Sequence, residues 1–182
     1  MVMDFSIVSL ALSSIADEFE VTLRAVTWVA ISTALVTSAI MLPLGRVSDL
    51  TGRKKFHIAG MIFFVAGGIF AFGSQNLPML ITARVVMAVG SAMVQAVVFA
   101  ITVGVFTAKE RGKALGMITT IVAIGSAAGP ILAGPIIQEF GWRTIFLVTA
   151  IPNVIGIIAA VIILDDGRIG SAARKIKTKY DW

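Results

Sequence analysis

"GRVSDLTGRKK", residues 45–55, is an island of charge in a chain that otherwise avoids it. Arg46, Asp49, Arg53, Lys54 and Lys55 crowd together there, framed by Gly45 and Gly52. The 182 residues as a whole are 58% hydrophobic and 14% charged. Mean hydropathy is +0.97, far above what a domain needing a polar surface can carry. Apolar runs flank the stretch on both sides, and about 20 such residues cross about 30 Å of hydrocarbon. Residues 45–55 therefore read as a short turn between two transmembrane helices.

Working outward, six apolar segments follow one another at 1–16, 26–44, 56–74, 78–106, 114–137 and 144–164. The first is short for a span, and the fourth is long enough to tilt or to project past the membrane. Placing 45–55, 107–113 and 165–182 on one side gathers twelve of the fifteen lysines and arginines there. The opposite connections hold only Arg24 and Arg143. The positive-inside rule makes the basic side cytoplasmic and puts both termini there. The expected architecture is an all-α membrane protein, a six-transmembrane-helix bundle over 1–164 followed by a basic cytoplasmic linker over 165–182.

Composition narrows the function classes as well. There is no cysteine and a single histidine, His57, so neither disulfides nor a histidine metal cluster can form. The net charge of +5 is explained by the basic loops rather than by nucleic acid. No basic region precedes the first apolar run, so no signal peptide is expected. Nucleotide, hydrolase and metalloprotease motifs are absent, and an enzyme or a bound cofactor is not expected.

The chain also resembles itself. "GRVSDLTGRK" from Gly45 aligns with "GPIIQEFGWR" from Gly134 at a shift of 89 residues. Gly45, Asp49, Gly52 and Lys54 then fall opposite Gly134, Gln138, Gly141 and Arg143. That shift amounts to three spans, an odd number, so the second copy lies upside down in the membrane. Two inverted three-helix repeats are expected, an arrangement frequent in secondary transporters.

In the first copy, the basic residues serve as topology anchors, but Asp49 opposes the inside bias. An acid at such a turn can pair with Arg46 or Arg53, or sit at the positive end of a neighbouring helix. The glycines permit close backbone approach. A turn of this composition can act as a latch between helical bundles. The stretch resembles the loop signature of the major facilitator superfamily, G-x-x-x-D-x-x-G-[RK]-[RK], with Leu50 where that family usually has arginine.

The fifth segment, "GMITTIVAIGSAAGPILAGP", spaces Gly116, Gly125, Gly129, Pro130, Ala133 and Gly134 in a pattern. Gly125, Gly129 and Ala133 share one helical face, fit for close packing, with Gly116 opposite. Pro130 removes the hydrogen bond to the Ser126 carbonyl, and a bend is expected there. The pattern resembles the fifth-span motif of the drug:proton antiporter branch of the superfamily, which implies a seal against leak and a bias to export.

Arg84 lies inside the fourth segment, where an arginine either faces a cavity or partner or snorkels to the interface. "RVVMAVGSA" resembles the family's fourth-span motif, with Met87 and Ala88 replacing its glutamine and first glycine. Asp4 is the acid embedded in the first segment, and "MDFSIVSLALSSI" resembles the first-span signature of the 14-span antiporters. Rise along the helices puts Asp4 about 20 Å and Arg84 about 10 Å below the outer surface. The two are therefore expected to share one polar cavity without forming a tight pair.

The resemblance implies the N-terminal half of a proton-coupled exporter of drugs or other hydrophobic small molecules, cationic drugs among them. Asp4 is then the coupling acid and Arg84 its partner. Lipid, protons, a small-molecule substrate, and a missing half of six to eight spans or a second copy would be its partners. Two rival readings are a half-size, non-transporting membrane subunit and an uptake carrier for a small metabolite.

Overall fold

In hydrocarbon every backbone N–H and C=O must be satisfied within the protein, which leaves long apolar segments the choice of helix or closed barrel. The computed structural model, which describes residues 2–105 and 107–163, is helical throughout its apolar segments. The helices are α1 (Val2–Glu18), α2 (Leu23–Thr51), α3 (Arg53–Phe72), α4 (Leu77–Val105), α5 (Ala108–Phe140) and α6 (Thr144–Ile163). Helices α2 to α6 are each long and apolar enough to cross a bilayer. At 17 residues, α1 rises only about 25 Å, short of the hydrocarbon thickness. The chain is a multi-pass, all-helical membrane protein. The proposed linker at 165–182 lies outside the described residues.

Residues 45–55 are not the loop expected from their polarity. α2 runs through Gly45 as far as Thr51, and Gly52 alone leaves the helix, at φ +95°. α3 starts at the next residue, Arg53. Two hydroxyls in this turn fold back on the helix: Ser48 Oγ donates to the Gly45 carbonyl at 2.7 Å and Thr51 Oγ1 to that of Val47 at 2.9 Å. Polarity ends a span, but it does not end a helix. Likewise the basic residues before position 114 form the opening turns of α5, which starts in a capping box between Thr107 and Glu110. Pro130 and Pro135 lie inside α5 without ending it.

The repeat is visible in the backbone. Gly141 ends α5 at φ +80° as Gly52 ends α2 at φ +95°. The Gly52 N–H bonds to the Ser48 carbonyl and the Gly141 N–H to the Ile137 carbonyl, both at 3.1 Å. Only glycine holds such a conformation without strain. The partners match at the same shift, residue by residue. Helix packing follows suit, since exchanging α1 with α4, α2 with α5 and α3 with α6 turns the α2–α4 contact into α5–α1 and returns α3–α6 to itself.

One contact breaks the symmetry: α3 packs closely on α4, whereas α6 touches α1 only lightly. Glycines explain the difference. A Cβ on Gly67 would sit 2.8 Å from the Met87 backbone nitrogen, and one on Gly90 would sit 2.5 Å from that of Phe64. The backbones of α3 and α4 thus approach more closely than any side chain would allow. The core lies beside this seam, built from Ile7, Val8, Ile15, Phe64, Leu80, Met87 and Phe146. Most of α2 and α5 stays uncovered, with Leu42 83% and Ile131 75% exposed.

Candidate functional site

Arg84 sits on the most buried helix, α4, one turn after Leu80 and one before Met87 and Ala88, and none of these residues is exposed. Its Nη1 lies 2.5 Å from Asp4 Oδ2 on α1. The same nitrogen is 3.8 Å from Met87 Sδ, and Cζ lies 5.9 Å from the Phe146 ring centroid. Arg84 is wholly buried and its guanidinium is paired with a buried carboxylate, so it does not snorkel to the interface. The looser, cavity-sharing arrangement expected from helix rise is replaced by a direct ion pair, because rise alone ignores which way a long side chain runs. Among the described residues α1 and α4 make no close backbone contact, and the arginine spans the gap.

Removing two charges from water is costly, and only good geometry with further hydrogen bonds offsets the desolvation. Here the offset is incomplete. Asp4 Oδ1 and Arg84 Nε and Nη2 are buried without a hydrogen-bond partner among the described residues. Each such orphan costs about 1–3 kcal/mol. The pair is thus held by one hydrogen bond, with an acceptor on Asp4 and two donors on Arg84 left over.

Asp4 also lines a cavity of about 330 Å³ shared by α1, α2, α3, α4 and, through Ser126, α5. Ser6, Thr33, Thr37, Ser38, Ser91 and Gln95 supply polar lining, and Phe64 and Met87 supply apolar lining. Ser6 belongs to the first-span stretch that resembles the antiporter signature; the other polar groups are singled out by neither a charge nor a motif. Their sequence signal is modest: Thr33 and Thr37 on α2, and Ser91 and Gln95 on α4, stand four apart and so share a helical face.

At the α2–α3 junction, Asp49 Oδ1 meets Arg53 Nη2 at 3.0 Å and Nε at 3.1 Å. The acid is therefore joined to Arg53, one of the two partners its position allowed. Lys54 Nζ donates to the Val161 carbonyl near the end of α6 at 3.3 Å. A Cβ at Gly45 would meet nothing within 4 Å. Along α5, Gly129 and Ala133 are buried, Gly125 and Pro130 are half-buried and Gly116 is exposed. Gly116 and Gly134 have open space where a Cβ would stand. The five glycines and prolines of that motif therefore do not converge on one contact.

A second cluster, missed by the sequence reading, joins three connections at the other end of the bundle. Arg143 donates from Nε and Nη2 to the Ser74 carbonyl at 3.2 and 2.9 Å, and from Nη1 to Glu18. Trp142 Nε1 donates to Glu18 Oε2 at 2.6 Å, while the Arg143 guanidinium lies 4.4 Å over the Trp142 ring. The Arg143 hydrogen bond lowers the Glu18 carboxyl below its ordinary value; burial opposes this, and the Trp142 N–H and the arginine's charge reinforce it. The arrangement echoes Lys54. Each basic residue, at matching repeat positions, caps carbonyls at the far end of the other repeat's third helix, where unpaired acceptors gather.

Comparison with known proteins identifies the fold. The sequence profile of the Major Facilitator Superfamily matches residues 1–179. The riboflavin transporter RibZ of Clostridioides difficile is 36% identical over 157 residues, covering 86% of this chain and 34% of its own. The multidrug resistance protein Stp of Mycobacterium tuberculosis is 33% identical over 147 residues, 80% of this chain and 27% of its own. The lincomycin resistance protein of Streptomyces lincolnensis is 33% identical over 162 residues, 88% of this chain and 33% of its own. The chain thus spans about a third of the length of these curated relatives. By the reach of the profile over nearly every residue, and by the six-helix bundle with its repeated glycine-ended junctions, the chain belongs to the Major Facilitator Superfamily, a family of transporters and not of enzymes.

Proposed function

We propose that this chain is the first six-helix bundle of a proton-coupled exporter that works by alternating access against a second bundle. The observation that carries the reading is the buried Asp4–Arg84 pair, with Asp4 on the wall of a cavity. A proton taken by Asp4 dissolves the ion pair and releases Arg84. That changes the relative stability of two arrangements of the helices, which is what coupling requires. The basic end is the cytoplasmic one by its lysines and arginines, residues 165–182 are the linker to the next bundle, and both ends of the chain lie in the cytoplasm.

The uncovered faces of α2 and α5, with open space at Gly45, Gly116 and Gly134, would receive the second bundle. Asp49 and Arg53 then form a latch at the cytoplasmic rim, and Gly125, Gly129, Pro130 and Gly134 a seal. Relatives named for multidrug and lincomycin resistance support drugs as the cargo. A second reading, carriage of a nutrient, is favoured by the relative named a riboflavin transporter.

The test is substrate-driven proton movement in proteoliposomes holding the longer transporter that carries this bundle. Outward substrate movement coupled to protons, lost in Asp4→Asn, supports the proposal. Substrate movement that ignores a proton gradient removes the coupling and leaves an uncoupled carrier; no transport at all removes the proposal and leaves the half-size, non-transporting reading.

A further inference from the structure

Hydroxyls in membrane helices usually return to the backbone one turn back. Thr27, Thr33, Thr82, Thr119 and Thr120 all do so here, at 2.8–3.2 Å. Ser6, Thr37, Ser38 and Ser126, all on the cavity wall, donate no side-chain hydrogen bond among the described residues. Gln95 gives one N–H to Ser91 Oγ at 3.3 Å, which leaves its carbonyl oxygen and second N–H for the cavity. Asp4 Oδ1, on the same wall, is an orphan acceptor. Of that wall only Asp4 Oδ1 is a buried acceptor left without a partner among the described residues; the half-buried or exposed hydroxyls beside it are free to bond water or a ligand.

The charge of that wall matters as much as its polarity. Among its described lining residues Asp4 is the one ionisable group, and Arg84 is already paired with it at 2.5 Å. Among the described residues the one aromatic ring there, Phe64, is 1% exposed, so it offers no open face to hold a cation. We infer that the cavity binds a neutral small molecule carrying several hydroxyl or amide groups, one of which donates to Asp4, rather than a lipophilic cation. The inference rests on the transporter reading of this cavity and revises the cargo that the family resemblance implies. The volume, about 330 Å³, is at the small end of ligand pockets. A site that hydrogen-bonds a hydroxyl rejects the analogue lacking it, because its own buried groups are then left unpaired.

The test uses the whole chain in nanodiscs and three probes: para-nitrophenyl glucoside, its analogue with the sugar replaced by cyclohexyl, and tetraphenylphosphonium. Saturable binding is read by isothermal calorimetry. The glucoside should bind at least about tenfold more tightly than the cyclohexyl analogue, with no saturable phosphonium binding. Thr37→Val and Ser126→Ala should each weaken the glucoside about fivefold, near the size of one lost hydrogen bond. The ligand comparison on the unaltered chain stands even if a variant does not fold. Phosphonium binding without glucoside binding overturns the inferred cargo but keeps the cavity as a transporter site. If none of the probes binds, the cargo inference and the cavity reading beneath it both fall.

Discussion

Arg84 Nη1 donates to Asp4 Oδ2 across 2.5 Å, joining two helices whose backbones do not meet. Removing one member of such a pair leaves an uncompensated charge in a dry place, whereas removing both does not. Arg84→Met should therefore lower the unfolding free energy by about 3–5 kcal/mol. Adding Asp4→Asn to it should recover a large part of that loss. Denaturant unfolding in detergent, run as a double-mutant cycle, checks the claim; additive losses would show that the two side chains act independently.

The glycines divide into two sorts with opposite expected outcomes. At Gly90 a methyl group would press into the α3 backbone, 2.5 Å from Phe64 N, so Gly90→Ala should destabilise the bundle by about 1–3 kcal/mol. At Gly116 there is nothing within 4 Å, so Gly116→Ala should stabilise the isolated chain by about 0.5–1 kcal/mol through helix propensity. Melting temperatures of the two variants in one detergent decide the matter. If α5 receives a second bundle, the stabilising Gly116 change should nonetheless slow transport in the longer protein.

Much of this fold follows from hydropathy, since the apolar segments lie within α1 to α6 with only small overhangs. The ends of α2 and α5 do not, because helix hydrogen bonding is indifferent to whether the side chains outside the membrane are charged. The repeat was legible through Gly52 and Gly141, since a positive φ demands glycine in both copies. Asp4 and Arg84 were legible as ionisable residues in apolar runs. Their direct contact was not, because it depends on the direction of one side chain. The Glu18–Trp142–Arg143 clasp and the hydroxyl wall were hidden for different reasons. The first joins residues more than a hundred positions apart, and the second consists of ordinary serines and threonines.

Glu18 supplies a pH dependence. Its carboxyl is lowered from the ordinary 4.5, first by the hydrogen bond from Arg143. A lowered folded-state value means that the contribution is present in full above about pH 4.5 and is lost as pH falls through the folded value. The side chain is 45% exposed, so solvent screening keeps the effect below about 1 kcal/mol. Melting temperature against pH should fall more steeply on the acid side in the unaltered chain than in Glu18→Gln. Parallel curves would remove the clasp from the stability account.

Asp49 separates stability from function. Its pair with Arg53 is on the surface, with the acid 55% exposed, so Asp49→Asn should change unfolding free energy by no more than about 0.5 kcal/mol. In the longer transporter, the same change should reduce transport severalfold at equal expression. Normal transport would make residues 45–55 an anchor and nothing more.

The central claim is that Asp4 exchanges Arg84 for a proton. Infrared difference spectroscopy of the chain in lipid, recorded on stepwise acidification, observes this at the carboxyl itself. The account predicts a protonated-carboxyl band that appears on acidification, disappears in Asp4→Asn, and shifts its onset in Arg84→Met. A spectrum unchanged by Asp4→Asn would contradict it, and would leave the buried pair as a structural tie between α1 and α4.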